Sequence, residues 1–136
     1  MTPHSAPHSE TDDAHESARV CIPNIGPKER AKRLRIGVIV LLTGAFVSAA
    51  LLLAGADRPW RLVAFIPFWA GATALFQVYE KTCIALAARN VRNLDDGELA
   101  VADSDERRQI ERQARRVRLE GLATALVLTL ALFALP

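Results

Sequence analysis

Apolar positions along this chain fall into three uninterrupted blocks and do not recur at the period of 3.6 or 2 that marks half-buried helices and strands. Residues 36–56 (IGVIVLLTGAFVSAALLLAGA) contain no Asp, Glu, Lys, Arg or His over twenty-one positions. As a helix rising about 1.5 Å per residue, this block spans roughly 30 Å, the thickness of a bilayer's hydrocarbon core. Residues 62–79 (LVAFIPFWAGATALFQVY) are uncharged over eighteen positions, with Trp60 near one end and Tyr79 at the other, where amphipathic rings favour the headgroup layer. Pro67 removes one backbone hydrogen bond inside this block and predicts a bend about one turn upstream.

Residues 121–136 (GLATALVLTLALFALP) form a shorter block of sixteen positions, roughly 24 Å of helix. Its six leucines, Val127 and Phe133 each favour insertion by roughly 0.3–0.6 kcal/mol, so it is expected to span if the bilayer thins slightly. The alternative is a C-terminal helix packed on the first two without crossing fully. The pattern predicts an all-α integral membrane fold: transmembrane helices over 36–56, 62–79 and 121–135, with a basic helix leading into the third.

Composition and charge then change the picture. Over 136 residues, 51% hydrophobic beside 24% charged excludes an ordinary soluble domain, a coiled coil and a wholly disordered chain once the apolar residues are seen to be segregated. The formal net charge of +2 hides a strong asymmetry. Arg19, Lys28, Arg30, Lys32, Arg33 and Arg35 precede the first block, and only Arg58 and Arg61 lie between the first and second. Lys81, Arg89, Arg92, Arg107, Arg108, Arg112, Arg115, Arg116 and Arg118 lie between the second and third. Fifteen of seventeen basic residues thus fall on one side, which predicts a cytoplasmic N-terminus and long loop, with the turn at 57–60 and the C-terminus outside. No cleavable signal peptide is expected in the polar first thirty-five residues, and the Ala, Leu and Arg-rich chain points to a bacterial inner membrane.

Residues 1–21 read as a disordered cytoplasmic tail, in which the spacing of His4, His8 and His15 fits no metal site. Residues 22–136 form the membrane domain. Within it, residues 80–94 are expected to continue the second helix as an amphipathic turn in the interface, with Ile84, Ala88, Val91 and Leu94 on one side. The acidic residues Asp95, Asp96, Glu98, Asp103, Asp105 and Glu106 lack calcium-loop spacing and read as a solvated linker. Asp103 and Glu106 match a capping box for a helix from about residue 105 straight into the third block. On that helix Glu111 is spaced to pair with Arg107, Arg108 and Arg115, and Arg116 with Glu120, while Ile110, Ala114, Val117 and Gly121 make an apolar seam.

Polar chemistry inside the blocks is limited to Thr43, Ser48, Thr73, Gln77, Thr124 and Thr129, with none of the ionisable groups that mark transport or proton relay. Gly44 with Ser48, Ala45 with Ala49 and Ala70 with Ala74 are small residues four apart, suited to close helix packing. No catalytic constellation, metal site, cofactor or nucleic-acid ligand is expected. The basic residues Lys28, Arg30, Lys32, Arg33, Arg35, Arg107, Arg108, Arg112, Arg115, Arg116 and Arg118 are expected to meet anionic lipid headgroups, an unidentified membrane protein partner or a second copy of the chain. The leading expectation is a non-enzymatic structural or interaction subunit. The alternative is a thiol redox or sulfur-transfer accessory using Cys83, alone or with Cys21.

One stretch adds a resemblance. Asn24, Gly26, Glu29, Arg30, Arg33 and Gly37 resemble the opening of a family of small bacterial inner-membrane domains, a helical hairpin of unknown function that also occurs fused to membrane-bound rhodaneses. The second block followed by Cys83 is similar to that family's second helix, which ends near a Cys. The resemblance covers roughly residues 22–86 and implies a hairpin with both ends in the cytoplasm. The family's Cys is usually followed by Pro, whereas Ile84 follows here, and the third block and its arginine helix lie outside the family pattern.

Overall fold

Pro27 occupies the first turn of a helix, where its missing N–H leaves no bond unmade, and the chain stays helical through the basic run into the first apolar block. In the computed structural model, which describes residues 22–136, this helix is α1 (Pro27–Leu53). The expectations for the tail, its three histidines and Cys21 lie outside the described residues. Gly55, at φ +64°, terminates α1 by turning the chain left-handed. Gly55 N then donates to Leu52 O at 3.1 Å and Ala56 N to Leu51 O at 3.0 Å, a Schellman motif that satisfies the last carbonyls.

The second block is not one α-helix with a bend in it. A 3-10 segment (Arg58–Ala64) runs directly into α2 (Phe65–Tyr79), so Pro67 sits in the first α-helical turn. That position tolerates a missing donor, and the tighter 3-10 coil upstream takes the place of the predicted bend.

The expected continuation of α2 past the interface is also overturned. Lys81 adopts φ +51°, and Lys81 N and Thr82 N donate to Val78 O and Gln77 O at 3.3 and 3.0 Å, closing α2 with a second Schellman motif. A five-residue helix α3 (Ile84–Ala88) follows, and then an antiparallel hairpin of β1 (Val91–Asn93) and β2 (Glu98–Ala100). Its register pairs Val91 with Ala100, Arg92 with Leu99 and Asn93 with Glu98. The supposed acidic linker therefore contains the turn of a β-hairpin, with Asp95 at φ +72° and Gly97 at φ +104°. Helical spacing of Ile84, Ala88, Val91 and Leu94 misled the periodicity argument, because Asn90 (φ +54°) ends the helix after little more than one turn.

The last helix, α4 (Ser104–Ala134), carries the basic segment and the third apolar block without interruption. Asp103 is its N-cap and accepts from Asp105 N at 2.9 Å. Glu106 does not complete the reciprocal capping box; it turns to Arg92 instead. Among the described residues Glu111 makes none of its three expected pairs, whereas Arg116 and Glu120 do meet, at 2.8 Å.

Helix α2 lies between α1 and α4 and packs extensively on both. On the α1 side, Gly71 admits Leu41 so closely that a Cβ there would stand 3.0 Å from the Leu41 backbone N. Gly44 and Ser48 face inward, as their spacing suggests, while Ala45 and Ala49 face out. On the α4 side, Ala64 and Phe68 form a cluster with Ala125 and Leu132. The outer faces stay uncovered: Ile39, Leu42 and Phe46 on α1, Ile66 and Trp69 on α2, and Val127 and Leu130 on α4 are all exposed. In the most apolar stretch of α1 only 17% of residues are buried, the reverse of a soluble core helix. Three helices, Pro27–Leu53, the continuous Arg58–Tyr79, and Ser104–Ala134, are long and apolar enough to cross a membrane.

Candidate functional site: the polar end of the bundle

Most of the chain's polar chemistry gathers at the end of the bundle where α1 begins and α2 ends. At its centre is Asn24, wholly buried. Its side-chain Nδ2 donates to Cys83 O at 3.1 Å, and its Oδ1 accepts from Cys83 N at 2.6 Å. Its backbone N donates to Lys81 O at 3.1 Å, and its backbone O accepts from Asn93 N at 2.8 Å. One residue thereby ties the approach to α1, the loop after α2 and strand β1. Next to it, Gly26 N donates to Asn93 O at 2.8 Å, so residues 24–26 run along β1 as an extra strand-like segment.

Asp95 completes this junction. Its carboxylate accepts from Lys28 N at 3.1 Å and Glu29 N at 3.4 Å, capping α1 from a hairpin sixty-odd residues later in the chain. A side chain at position 26 would collide with that carboxylate, since a Cβ there would lie 2.5 Å from Asp95 Cγ. Gly26 is therefore fixed by close approach. Gln113 of α4 adds a fourth tie: with its amide oriented to satisfy both groups, it donates to Ile22 O and accepts from Ile22 N, each at 3.1 Å. Arg92 of β1 reaches Glu106 of α4 at 2.8 Å in a half-buried pair.

The basic residues expected to form one lipid-facing set separate into groups. Arg33 turns inward: its Nη1 donates to Gln77 Oε1 at 3.2 Å and its Nη2 to Cys83 Sγ at 3.0 Å. Gln77, read from sequence as a polar residue inside the second block, thus belongs to this end, and its Oε1 also accepts from Ile84 N at 3.4 Å. Arg30 is half-buried, with its Nε unpartnered among the described residues. Lys28, Lys32 and Arg35 are exposed along α1. On α4, Arg107 donates to Ala102 O at 3.2 Å, Arg108 lies 3.9 Å from Asp105, and Arg116 pairs with Glu120. Arg112, Arg115 and Arg118 are exposed and have no partner among the described residues.

Cys83 is 1% exposed, so its sulfur lies below the surface. On the hairpin, Arg89 grips Glu98 with both guanidinium nitrogens at 2.7 and 3.0 Å. The hydrogen bond from Arg89 holds the Glu98 carboxyl below its ordinary value, with the guanidinium charge adding to it.

At the opposite end, Arg61 is buried and aimed at the end of α4. Its Nη1 donates to Leu132 O at 3.3 Å and Leu135 O at 2.7 Å, a cation placed on carbonyls that a helix leaves unsatisfied. Its Nε has no partner among the described residues. Sequence counting treated Arg61 as one of two loop charges. Nothing in the local pattern identifies it as a cap, because its acceptors lie seventy-odd positions later. Asp95 was missed for the same reason, although the Asp-Asp-Gly sequence at 95–97 could have flagged a turn.

Geometry thus defines a class of protein, a helical bundle with three helices apolar and long enough to cross a membrane and one polar, hydrogen-bonded end. Compared with protein-family models, characterised proteins and solved structures, the chain matches none.

Proposed function

We propose that this protein is a non-enzymatic, multi-pass subunit of a bacterial inner membrane, with the polar end and N-terminus in the cytoplasm and the turn at 57–60 outside. In this reading the basic face rests on anionic headgroups and offers a surface to a membrane protein partner or a second copy. The observation that carries it is the uncovered apolar belt around three long helices, joined to one basic end. Burying such a belt in lipid removes it from water at about 25 cal/mol per Å². The burial of Arg61 adds to the orientation argument, since it leaves Arg58 as the exposed cation of the far turn.

The test is extraction and labelling of the full chain in its host membrane. Resistance to alkaline carbonate is expected, with a cysteine introduced at Asp96 labelled only from the cytoplasm and one at Asp57 only from outside. Release into the carbonate supernatant, or the opposite labelling, overturns the reading.

A second reading, a thiol redox or sulfur-transfer accessory, draws support from the 3.0 Å contact between Arg33 and Cys83 Sγ. It requires that the buried thiol open to a partner. Alkylation of Cys83 in the folded protein that is no faster than in its Arg33→Gln variant, and the same after oxidising and reducing growth, counts against it.

A further inference from the structure

Two hollows on α4 meet at Glu111. One, of about 240 Å³, lies between α3 and α4, floored by Ile84, Ala88 and Ala114 and edged by Asn90, Glu111 and Arg118. The other, of about 190 Å³, lies along the same helix face among Arg108, Glu111, Arg112 and Arg115. Arg112, Arg115 and Arg118 keep their guanidinium donors unpaired among the described residues. Among the described residues Glu111 is the single carboxylate lining either hollow, beside Arg108, Arg112, Arg115 and Arg118, so the lining charge is positive. Immediately further along α4 the surface changes character. Leu119, Leu122 and Leu126 are exposed, less than a turn to about two turns beyond Arg118. A basic hollow with an apolar floor therefore opens onto an apolar helix face, which is the polarity of a phospholipid seen end to end.

We propose that this groove holds an anionic phospholipid, its phosphate on Arg115 and Arg118 and its acyl chain laid along Leu122 and Leu126. The inference rests on the membrane reading above and deepens it from general headgroup contact to one seat. Planar guanidinium forks suit a phosphate's oxygens, and at the edge of a bilayer such pairs are partly desolvated. Asn90, held at φ +54° by the end of α3, lies at the rim as a further polar group. Glu111 opposes the ligand, since a carboxylate beside a phosphate repels it.

That opposition gives the test two signs. The full chain in detergent is titrated with phosphatidylglycerol and with phosphatidylcholine, and bound lipid is counted by native mass spectrometry. Phosphatidylglycerol is expected to bind more tightly. Arg115→Gln and Arg118→Gln should each weaken it about fivefold, the effect of one charge near the surface, whereas Glu111→Gln should tighten it. Arg58→Gln, at the far turn, should leave it unchanged. All substituted side chains are exposed, and circular dichroism checks that α4 stays intact. Equal binding of the two lipids, unchanged binding in the arginine variants or weakening by Glu111→Gln overturns the proposal. Displacement of the lipid by millimolar inorganic phosphate also overturns it, because it assigns the groove to a soluble anion. Carbonate extraction of the same variants separates this failure from that of the membrane reading: a chain that stays in the bilayer but shows no lipid preference loses only the groove.

Discussion

At the polar end, Asn24, Gly26, Asp95, Gln113 and the Arg92–Glu106 pair join four chain segments through hydrogen bonds, most of them involving the backbone. At the far end a buried cation, Arg61, joins the turn to the last carbonyls of α4. The contrast follows from what each end contains. Loops and a β-hairpin at the polar end bring many backbone groups that need partners. The far end has a tight turn whose own Schellman motif is already satisfied, so the end of α4 is what remains to be capped. One end is redundant, and the other depends on Arg61.

The strongest way to break the redundant end is through its centre. Asn24→Leu leaves the Cys83 N–H buried without a partner and strips one of two donors from the Cys83 C=O, which keeps Ala87 N, and should destabilise the detergent-solubilised protein by about 3 kcal/mol in denaturant unfolding. The same variant should speed alkylation of Cys83, whereas a purely local loss would leave that rate unchanged.

At the far end, Arg61→Met should cost about 2 kcal/mol by removing charged hydrogen bonds and a cation from the end of a helix dipole. Arg61→Lys should recover only part, because an ammonium has a single nitrogen, whereas the guanidinium reaches Leu132 O and Leu135 O through Nη1 and Pro136 O through Nη2. Full recovery by Lys would reduce the site to simple charge. Hydrogen exchange of the last turn of α4 should rise in the Met variant while the polar end stays protected.

Smaller effects sharpen how redundant the polar end is. Asp95→Ala removes the cap on α1 and should cost about 1 kcal/mol, as helix caps generally do. Gly26→Ala pushes the same carboxylate away and should cost at least as much, but should add little in the double variant because both act on one contact. Additive losses would show that Gly26 is needed for something other than room for Asp95. The smallest effect concerns pH. Because Glu98 is held below its ordinary carboxylate value by Arg89, its contribution is present above the unfolded-state pKa and is lost as pH falls through the lower folded value. Both side chains are exposed, so acidification below the usual carboxylate range should loosen only the hairpin, seen as faster amide exchange at Val91 and Ala100.

Long apolar runs and charge spacing made much of the fold legible. The predicted spans 36–56 and 121–135 lie within α1 and α4 as far as Leu53 and Ala134, and the Arg116–Glu120 pair and the inward face of Gly44 and Ser48 follow from helical spacing alone. The stretch 80–100 was misread, because a weak helical period there competes with three non-glycine or glycine turns whose left-handed φ depends on neighbours. The candidate site was only partly visible. Asn24, Arg33 and Cys83 converge, with Gly26 beside them on β1, yet their spacing of up to fifty-nine positions offers no local signal that they should.

What the sequence determined by itself is the segregation of apolar from basic residues, hence three helices able to cross a membrane and one basic end. That follows from composition along the chain, because an uncharged stretch of about twenty residues has few other low-energy states. Tertiary structure decided the rest: that Arg33 turns in to Cys83 while Arg115 and Arg118 pair with none of the described residues, that Asp95 caps a helix far from it in sequence, and that Arg61 closes α4. Each is a polar group choosing among distant partners, and that choice depends on burial and distance in the folded chain, which no period along the sequence encodes.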